Sequence, residues 1–160
     1  MTREEFIAKT EGCQRAFRRF LAALCCGDTS LADDIAQESL VKAYLSCNGL
    51  KDPDKFNSWL YRIGYNTFLN NRRSQRVTEP IENSYTAAAQ ERSDEAFRYQ
   101  SLYIALANIN ESERSAILLY YMEGYSVQEI AKIQEVTADV IRQHLSRGRS
   151  HLRQFLTSIN

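Results

Sequence analysis

The stretch Ser126–Leu156, "SVQEIAKIQEVTADVIRQHLSRGRSHLRQFL", sets out a short helix, a tight turn and a longer basic helix. Ser126 and Glu129 have the spacing of a capping box at the start of the first helix, and Thr137 is placed to cap the second. The apolar residues of the second helix fall on one stripe: Ile141, Leu145, Leu152 and Leu156. This layout predicts a helix-turn-helix.

Positive charge is concentrated on the second helix, where Val136–Leu156 holds four arginines and two histidines against one acid. At 100° per residue, one group of side chains lies away from the apolar stripe: Asp139, Val140, Gln143, His144 and Arg147. A second group lines the edge of that stripe: Arg142, Arg149 and Arg153. The first group is placed to meet base edges in a major groove, and the second to neutralise phosphates. DNA is therefore the predicted partner, and a merely solvated helix is the alternative.

The composition bounds the class of protein. The chain has 160 residues, no net charge, 44% hydrophobic and 25% charged residues, as expected for a globular protein with a packed core. With only six glycines and two prolines, and apolar residues recurring at three and four, we expect an all-α fold. No signal-peptide h-region and no run of about eighteen apolar residues is present, which predicts a cytoplasmic protein without membrane insertion.

Neither a metal nor a redox site is predicted. The four cysteines lack C-x-x-C spacing, so we expect free, buried thiols. No acid or cysteine completes a metal site around His144 and His151, which we interpret as surface residues or phosphate contacts. No phosphate-binding glycine loop, H-E-x-x-H motif or nucleophile elbow is present, so the chain is not expected to be an enzyme or to need a cofactor.

The segment Val77–Glu95 lacks a sustained apolar face, contains Pro80 and is predicted to be part of a flexible linker. Residues 1–76, 77–98 and 99–160 carry net charges of +3, −3 and 0. The sequence thus predicts two small helical modules, 1–76 and 99–160, joined by an acidic linker.

The amino-terminal module contains a predicted amphipathic helix over residues 31–45, whose polar side carries Asp34, Gln37, Glu38 and Lys42. The helix after it begins at Asp52, with Pro53 in the first helical position. This second helix is apolar on both sides. One side carries Phe56, Trp59, Leu60 and Ile63, and the other carries Tyr61, Tyr65 and Phe68, with arginines beside or beyond them at 62, 72, 73 and 76.

Two interpretations of this second helix stay open. Aromatic rings interleaved with arginines suit single-stranded nucleic acid, because bases stack on the rings and the cations follow the backbone. Alternatively, the helix lies at the centre of a bundle and is covered on both sides.

Together the two modules resemble the bacterial sigma-70 family of RNA polymerase sigma factors, in its extracytoplasmic-function (ECF) group. The resemblance is carried by "DDIAQESLVKAY" and "FNSWLYRIGYNTFLNNRR", similar to region 2, and by "INESERSAILLYYMEGYSVQEIAKIQEVTADVIRQHLSRGRSHL", similar to region 4. It implies promoter-specific initiation with core RNA polymerase, bound through its clamp and flap. Anti-sigma partners are common in the family, although these residues identify none.

The resemblance also implies roles for individual residues. Core polymerase is expected to contact Asp34, Gln37, Glu38 and Lys42. The minus-10 element is expected to contact Trp59, Tyr61, Arg62, Tyr65, Asn66, Arg72 and Arg73, with the loop 48–55 helping to hold a flipped base. The minus-35 element is expected to contact Ser126, Thr137, Val140, Arg142, Gln143, His144, Arg147 and Arg149.

Two positions depart from the family pattern. Gln134 and Glu135 stand in the turn where many relatives have glycine, so one of them is expected in a left-handed conformation at some cost. Val140 replaces a threonine of other members, and its methyl groups could contact a thymine methyl instead. A stand-alone helix-turn-helix repressor or activator is the alternative function, but it leaves the acidic face around Asp34 unexplained.

Overall fold

A computed structural model describes the backbone of residues 1–78 and 94–159, and the side chains of 1–74 and 99–157. The all-α prediction is confirmed: within these ranges the chain forms helices and no strand. The α-helices are α1 (Arg3–Leu24), α2 (Thr29–Ser46), α3 (Phe56–Thr78), α4 (Asp94–Ala107), α5 (Glu111–Ile117), α6 (Val127–Gln134) and α7 (Ala138–Ile159). A π-helical turn, Leu118–Met122, continues α5. None of these helices is long and apolar enough to cross a membrane.

The first three helices pack α1 against α2 and α2 against α3. Aromatic rings form much of the core between them, with Phe17, Phe20, Phe56 and Phe68 fully buried. The helix predicted over residues 31–45 is confirmed, and it begins two residues earlier because the side chain of Asp28 accepts a hydrogen bond from the Leu31 amide. All four cysteines are free and buried, as expected from their spacing.

The helix-turn-helix is confirmed as α6 and α7. The Ser126 side chain accepts a hydrogen bond from the Glu129 amide, and Thr137 accepts one from the Val140 amide. In the turn, Glu135 adopts the expected left-handed conformation, with φ 58° and ψ 45°. Glu135, whose side chain binds Arg62, therefore has a backbone conformation that would be free of strain only for glycine.

The apolar stripe of α7 is only partly correct. Ile141 and Leu145 are buried and Leu152 is half-buried, but Leu156 is 40% exposed. The reason is where α7 meets α5: an added Cβ at Gly148 would lie 2.5 Å from Ile117 Cδ1. Close packing is thus reached near the middle of α7, and burial falls off toward its end.

Both ends of the predicted linker are helical. The helix α3 runs to Thr78 and α4 begins at Asp94, and the module boundaries at 77 and 98 stay a prediction. Acids at positions 94 and 95 favour a helix start at that point. Residues 79–93, including Pro80, lie outside the described residues.

The two modules are in direct contact. The helix α1 packs against α4, α5 and the π-helical turn, while α3 packs against α6. At the junction Arg114 is only 5% exposed, and its guanidinium donates to three backbone carbonyls: Leu24 at the end of α1, and Leu106 and Ile109 at the end of α4, at 2.8–3.2 Å. One side chain therefore binds the carboxyl ends of a helix from each module.

Gly64 tests the close packing of α1 on α3. An added Cβ at Gly64 would lie 2.6 Å from the Phe17 ring, whereas at Gly12, also mid-helix, it would meet nothing within 4 Å. We expect Gly64→Ala to destabilise the protein by about 1–3 kcal/mol through overpacking. Gly12→Ala should stabilise it by about 0.5–1 kcal/mol, because alanine is the better helix former. Urea unfolding of both variants measures the difference, and equal midpoints would contradict the packing.

Candidate polymerase and nucleic-acid interfaces

The polar face of α2 lies open to solvent. Asp34, Gln37, Glu38 and Lys42 are all exposed, while the opposite face of α2 is buried through Ile35, Ala36, Ser39 and Ala43. Lys42 Nζ lies 3.3 Å from Glu38 Oε1 and 3.4 Å from Thr67 Oγ1. The four side chains predicted to contact polymerase are thus brought together on one accessible surface.

Two apolar side chains extend this surface. Val41 is 57% and Leu45 76% exposed on the same helix. The sequence analysis did not identify these two residues, which lie in the carboxyl-terminal half of α2, where its outer face is otherwise polar. Because large exposed aliphatic side chains on neighbouring turns are what a protein partner desolvates, the face combines charge with an apolar contact.

The aromatic face of α3 is covered. Tyr61 and Tyr65 are only 2% and 3% exposed, and the Tyr61 ring packs against Phe17, Phe20 and Tyr125 with centroids 5.0–5.4 Å apart. In this conformation α3 is therefore a central helix covered on both sides, the second of the two interpretations. Contact of Tyr61 and Tyr65 with DNA stays a prediction that requires this cover to move.

Polar atoms at the edge of α3 are paired with the carboxyl-terminal module. Tyr61 donates to Glu123 Oε2 at 2.9 Å, and Tyr65 Oη lies 3.5 Å from Ser112 Oγ. Arg62 binds Glu135 Oε1 through Nε at 2.7 Å and Nη2 at 2.6 Å, and Arg72 Nε binds Glu111 Oε1 at 2.9 Å. Of the other residues assigned to the minus-10 element, Trp59 is half-buried, while Asn66 and Arg73 are exposed.

Glu123 is an unusual carboxylate. Burial raises its pKa, and the hydrogen bond from Tyr61 opposes that rise. Burial, followed by the nearby charge of Glu123, raises the pKa of Tyr61, so the phenol remains a donor at neutral pH. Within the described part of the chain no donor reaches Glu123 Oε1, which is buried. The sequence offered no signal for this pair, because its members are 62 residues apart.

The outer face of α7 is accessible. Gln143, Arg147, Arg142 and Arg149 are exposed, and Val140 is half-buried. Arg142 Nη1 lies 2.7 Å from Asp139 Oδ1, and Arg149 Nη1 donates to Tyr121 Oη at 3.1 Å. Tyr121 is an addition to the predicted set, brought beside α7 by the π-helical turn. Ser126 and Thr137 serve as helix caps at the two helix starts.

His144 belongs to a hydrogen-bond chain that fixes the turn. Gln134 Nε2 donates to the Ser112 carbonyl at 3.1 Å, which leaves Gln134 Oε1 to accept from His144 Nδ1 at 3.2 Å. Burial lowers the pKa of His144; the charge of Glu113 opposes this effect and that of Arg147 adds to it. His144 therefore positions α7 against the turn as a neutral ring. His151, half-exposed, binds the buried Glu113 at 3.0 Å.

The described residues contain no metal-binding cluster, and burial makes the Cys25 thiol unreactive. None of their His, Cys, Asp and Glu side chains form a group of three or more that could hold a metal ion. Burial, with the nearby charge of Asp28 adding to it, raises the pKa of the Cys25 thiol to about 12. Because the thiolate is the reactive form of cysteine, a thiol that stays protonated is unreactive, and Cys25 serves as an apolar packing residue.

Comparison with known families gives two matches in order along the chain. Residues 11–78 match the model for Sigma-70 region 2, and residues 99–152 match that for Sigma-70, region 4. The ECF RNA polymerase sigma factor SigM of Mycobacterium tuberculosis is 26% identical over 142 residues, spanning 88% of this chain and 71% of its own. SigE of Mycolicibacterium smegmatis is 30% identical over 144 residues, spanning 85% of this chain and 56% of its own.

Solved structures share the fold. The sigma factor RpoE, in its complex with the anti-sigma factor NepR from Bartonella quintana, superposes with a TM-score of 0.77 at 22% identity, over 96% of this chain and 98% of its own. CnrH, in complex with the cytosolic domain of CnrY, superposes with a TM-score of 0.70 at 23% identity, over 97% of this chain and 89% of its own. Two helical modules of these kinds in this order define a transcription initiation factor. The chain belongs to the sigma-70 family of RNA polymerase sigma factors, in its ECF group.

The neutral state of His144 predicts a pH dependence. Because the folded-state pKa of His144 lies below its unfolded value, the stability it contributes is present above about pH 6.5 and is lost as pH falls through the lowered pKa. We expect His144→Gln to lose less stability than the wild type between about pH 7.5 and 5.5. Thermal unfolding across this range measures the effect, with His151→Gln as control. An identical pH profile for wild type and His144→Gln would contradict it.

Proposed function

We propose that this protein binds core RNA polymerase and directs it to particular promoters, reading a minus-35 element through α7 and a minus-10 element through α3 while assisting DNA opening. The observation that carries the proposal is the pair of exposed faces, acidic on α2 and basic on α7, in a chain of the sigma-70 family. It would act in the cytoplasm, where its polymerase works, as a regulatory factor and not as an enzyme.

The polymerase surface is proposed to be the outer face of α2. Its carboxylates suit basic residues of a clamp, and the exposed Val41 and Leu45 add apolar area that a partner can bury. The carboxyl-terminal module would meet the flap. Charged groups in such an interface contribute orientation and association rate, while the apolar contacts contribute most of the affinity.

Duplex recognition is proposed for α7. Gln143 and Arg147 are exposed and have the donor geometry that purine edges accept, and Arg142 and Arg149 are placed to approach phosphates. Tyr121, held by Arg149, adds a hydroxyl at the same surface. His144 supports this face indirectly, by fixing the turn through Gln134.

Strand binding is proposed for α3. Asn66 and Arg73 are exposed on this helix, while Tyr61, Tyr65, Arg62 and Arg72 carry the stacking surfaces and charges that a separated strand needs. A partner that regulates the factor is also proposed, since the similar structures of RpoE and CnrH are complexes with NepR and with the cytosolic domain of CnrY.

In vitro transcription with purified core polymerase and genomic DNA fragments tests the proposal. Transcription that starts at discrete promoters only when this protein is added is the expected result. Binding of the isolated protein to duplex operators as a dimer, with no effect on core polymerase, would instead favour a stand-alone repressor or activator.

Charge reversal tests the α2 surface. We expect Asp34→Arg with Glu38→Arg to abolish co-purification with core polymerase while leaving helical content unchanged, because both side chains are exposed. The matched control is Glu4→Arg with Glu11→Arg, which reverses two exposed acids on α1. Unchanged co-purification of the α2 variant, or equal loss in the control, would refute the assignment.

Two arginines of α7 separate base contacts from phosphate contacts. We expect Arg147→Ala to cost about 1–3 kcal/mol at one promoter position and to relax the preference there. Arg153→Ala should weaken binding evenly across sequences. Both residues are exposed, so neither change should lower the melting temperature. Holoenzyme binding to a set of single-base promoter variants measures both effects, and equal losses on every sequence would overturn the distinction.

A further inference from the structure

The π-helical turn Leu118–Met122 exposes two tyrosine side chains. Within it the Glu123 amide donates to the Leu118 carbonyl at 3.1 Å, five residues back, whereas an α-helix would use the carbonyl one residue nearer. Leu118 is buried, while Tyr120 and Tyr121 are 39% and 58% exposed. Such turns are frequent at functional sites, so the contacts of these two exposed rings are informative.

The Tyr121 hydroxyl is joined to α7 by a hydrogen bond. Arg149 Nη1 donates to Tyr121 Oη at 3.1 Å, between residues 28 positions apart. A phenol oxygen that accepts this bond keeps its own proton free to donate, and a guanidinium has further N–H groups beyond the one that this bond uses. The pair therefore presents donors from two side chains at one exposed point of the surface.

Arg149 also keeps its positive charge unpaired. Arg142, about two turns earlier on the same side of α7, has its Nη1 2.7 Å from Asp139 Oδ1. No carboxylate of the described residues forms an ion pair with Arg149. An unpaired guanidinium beside a hydroxyl donor matches a phosphate diester, whose oxygens carry negative charge and only accept hydrogen bonds.

We propose that Tyr121 and Arg149 together bind one phosphate of the promoter duplex, with Tyr121 as the positioning residue that holds the guanidinium in place. This inference rests on the duplex-reading role proposed for α7. A free arginine side chain loses rotamer freedom when it binds, and the bond to Tyr121 removes part of that loss in advance. The site fixes the register of α7 along the DNA backbone and reads no base.

A double-mutant cycle on the holoenzyme tests the pair. Tyr121→Phe removes the hydroxyl and keeps the ring, and it should weaken binding to promoter duplex about three- to tenfold. When Arg149→Ala is already present, the same change should cost about twofold or less, because no guanidinium is left to position. The matched control is Tyr120→Phe, which removes a hydroxyl from the neighbouring exposed ring and should bind as the wild type does.

Two further measurements identify the phosphate. The slope of log affinity against log salt concentration should fall by about 0.9 in Arg149→Ala, and by less in Tyr121→Phe, which keeps the charge. Promoter duplexes in which one phosphate at a time is replaced by an uncharged methylphosphonate should contain one position at which neither variant weakens binding further. The loss in Tyr121→Phe should be the same on every single-base promoter variant, because a phosphate contact carries no sequence information.

Arg147→Ala separates this inference from the function on which it rests. If Arg147→Ala weakens duplex binding and Tyr121→Phe does not, the phosphate site is wrong and α7 remains the duplex reader. If neither Arg147→Ala nor Arg149→Ala changes duplex binding, both are wrong. An equal loss from Tyr121→Phe with and without Arg149→Ala would overturn the shared site.

Co-purification with core polymerase and thermal unfolding complete the test. Tyr121 is exposed, so Tyr121→Phe should leave the melting temperature and the co-purification unchanged. Weaker co-purification would contradict the phosphate assignment and indicate a protein contact at this surface. A loss of duplex binding in Tyr121→Phe but not in Tyr120→Phe, abolished at the same methylphosphonate as the loss in Arg149→Ala, would support the site.

Discussion

The arrangement of the two modules depends on the buried guanidinium of Arg114. Its three hydrogen bonds end on the carbonyls of Leu24 at the end of α1 and of Leu106 and Ile109 at and just beyond the end of α4. Carbonyls at a helix terminus lack the next helical amide as a donor. The same termini carry partial negative charge, which favours a cation there. A buried charge is costly unless it is hydrogen-bonded, so the two helix ends must stay where Arg114 can reach both.

This constraint explains why α3 is covered. With α1 and α4 joined at one point, the π-helical turn and α6 are brought against α1 and α3, and the rings of Tyr61 and Tyr125 meet. Glu123 then lies beside the Tyr61 hydroxyl in a buried setting that raises its pKa. Arg114, which is buried at the junction and does not lie on α3, thus contributes to which face of α3 is accessible.

The helix faces that take no part in the junction between the modules stay accessible to solvent. The outer side of α2 and the outer side of α7 are turned away from the junction, and both keep their charged side chains in solvent. The chain of hydrogen bonds from Ser112 through Gln134 to His144 connects α5, the turn and α7. The orientation of α7 is therefore set by polar contacts inside the carboxyl-terminal module, while the availability of α3 is set by contacts between modules.

The sequence by itself determined the helices, most of their caps and the exposed faces, because these depend on periodicities of three to four residues and on caps within one turn. The polar face of α2 was predicted in this way, whereas the left-handed residue at the turn was expected from the resemblance to relatives that have glycine there. The tertiary structure alone decided that Tyr61 and Tyr65 are buried, that Leu156 is exposed and that Arg114 joins two helix ends. These facts arise from contacts between residues far apart in the chain, such as Arg114 with Leu24, 90 positions away, and local periodicity carries no information about them.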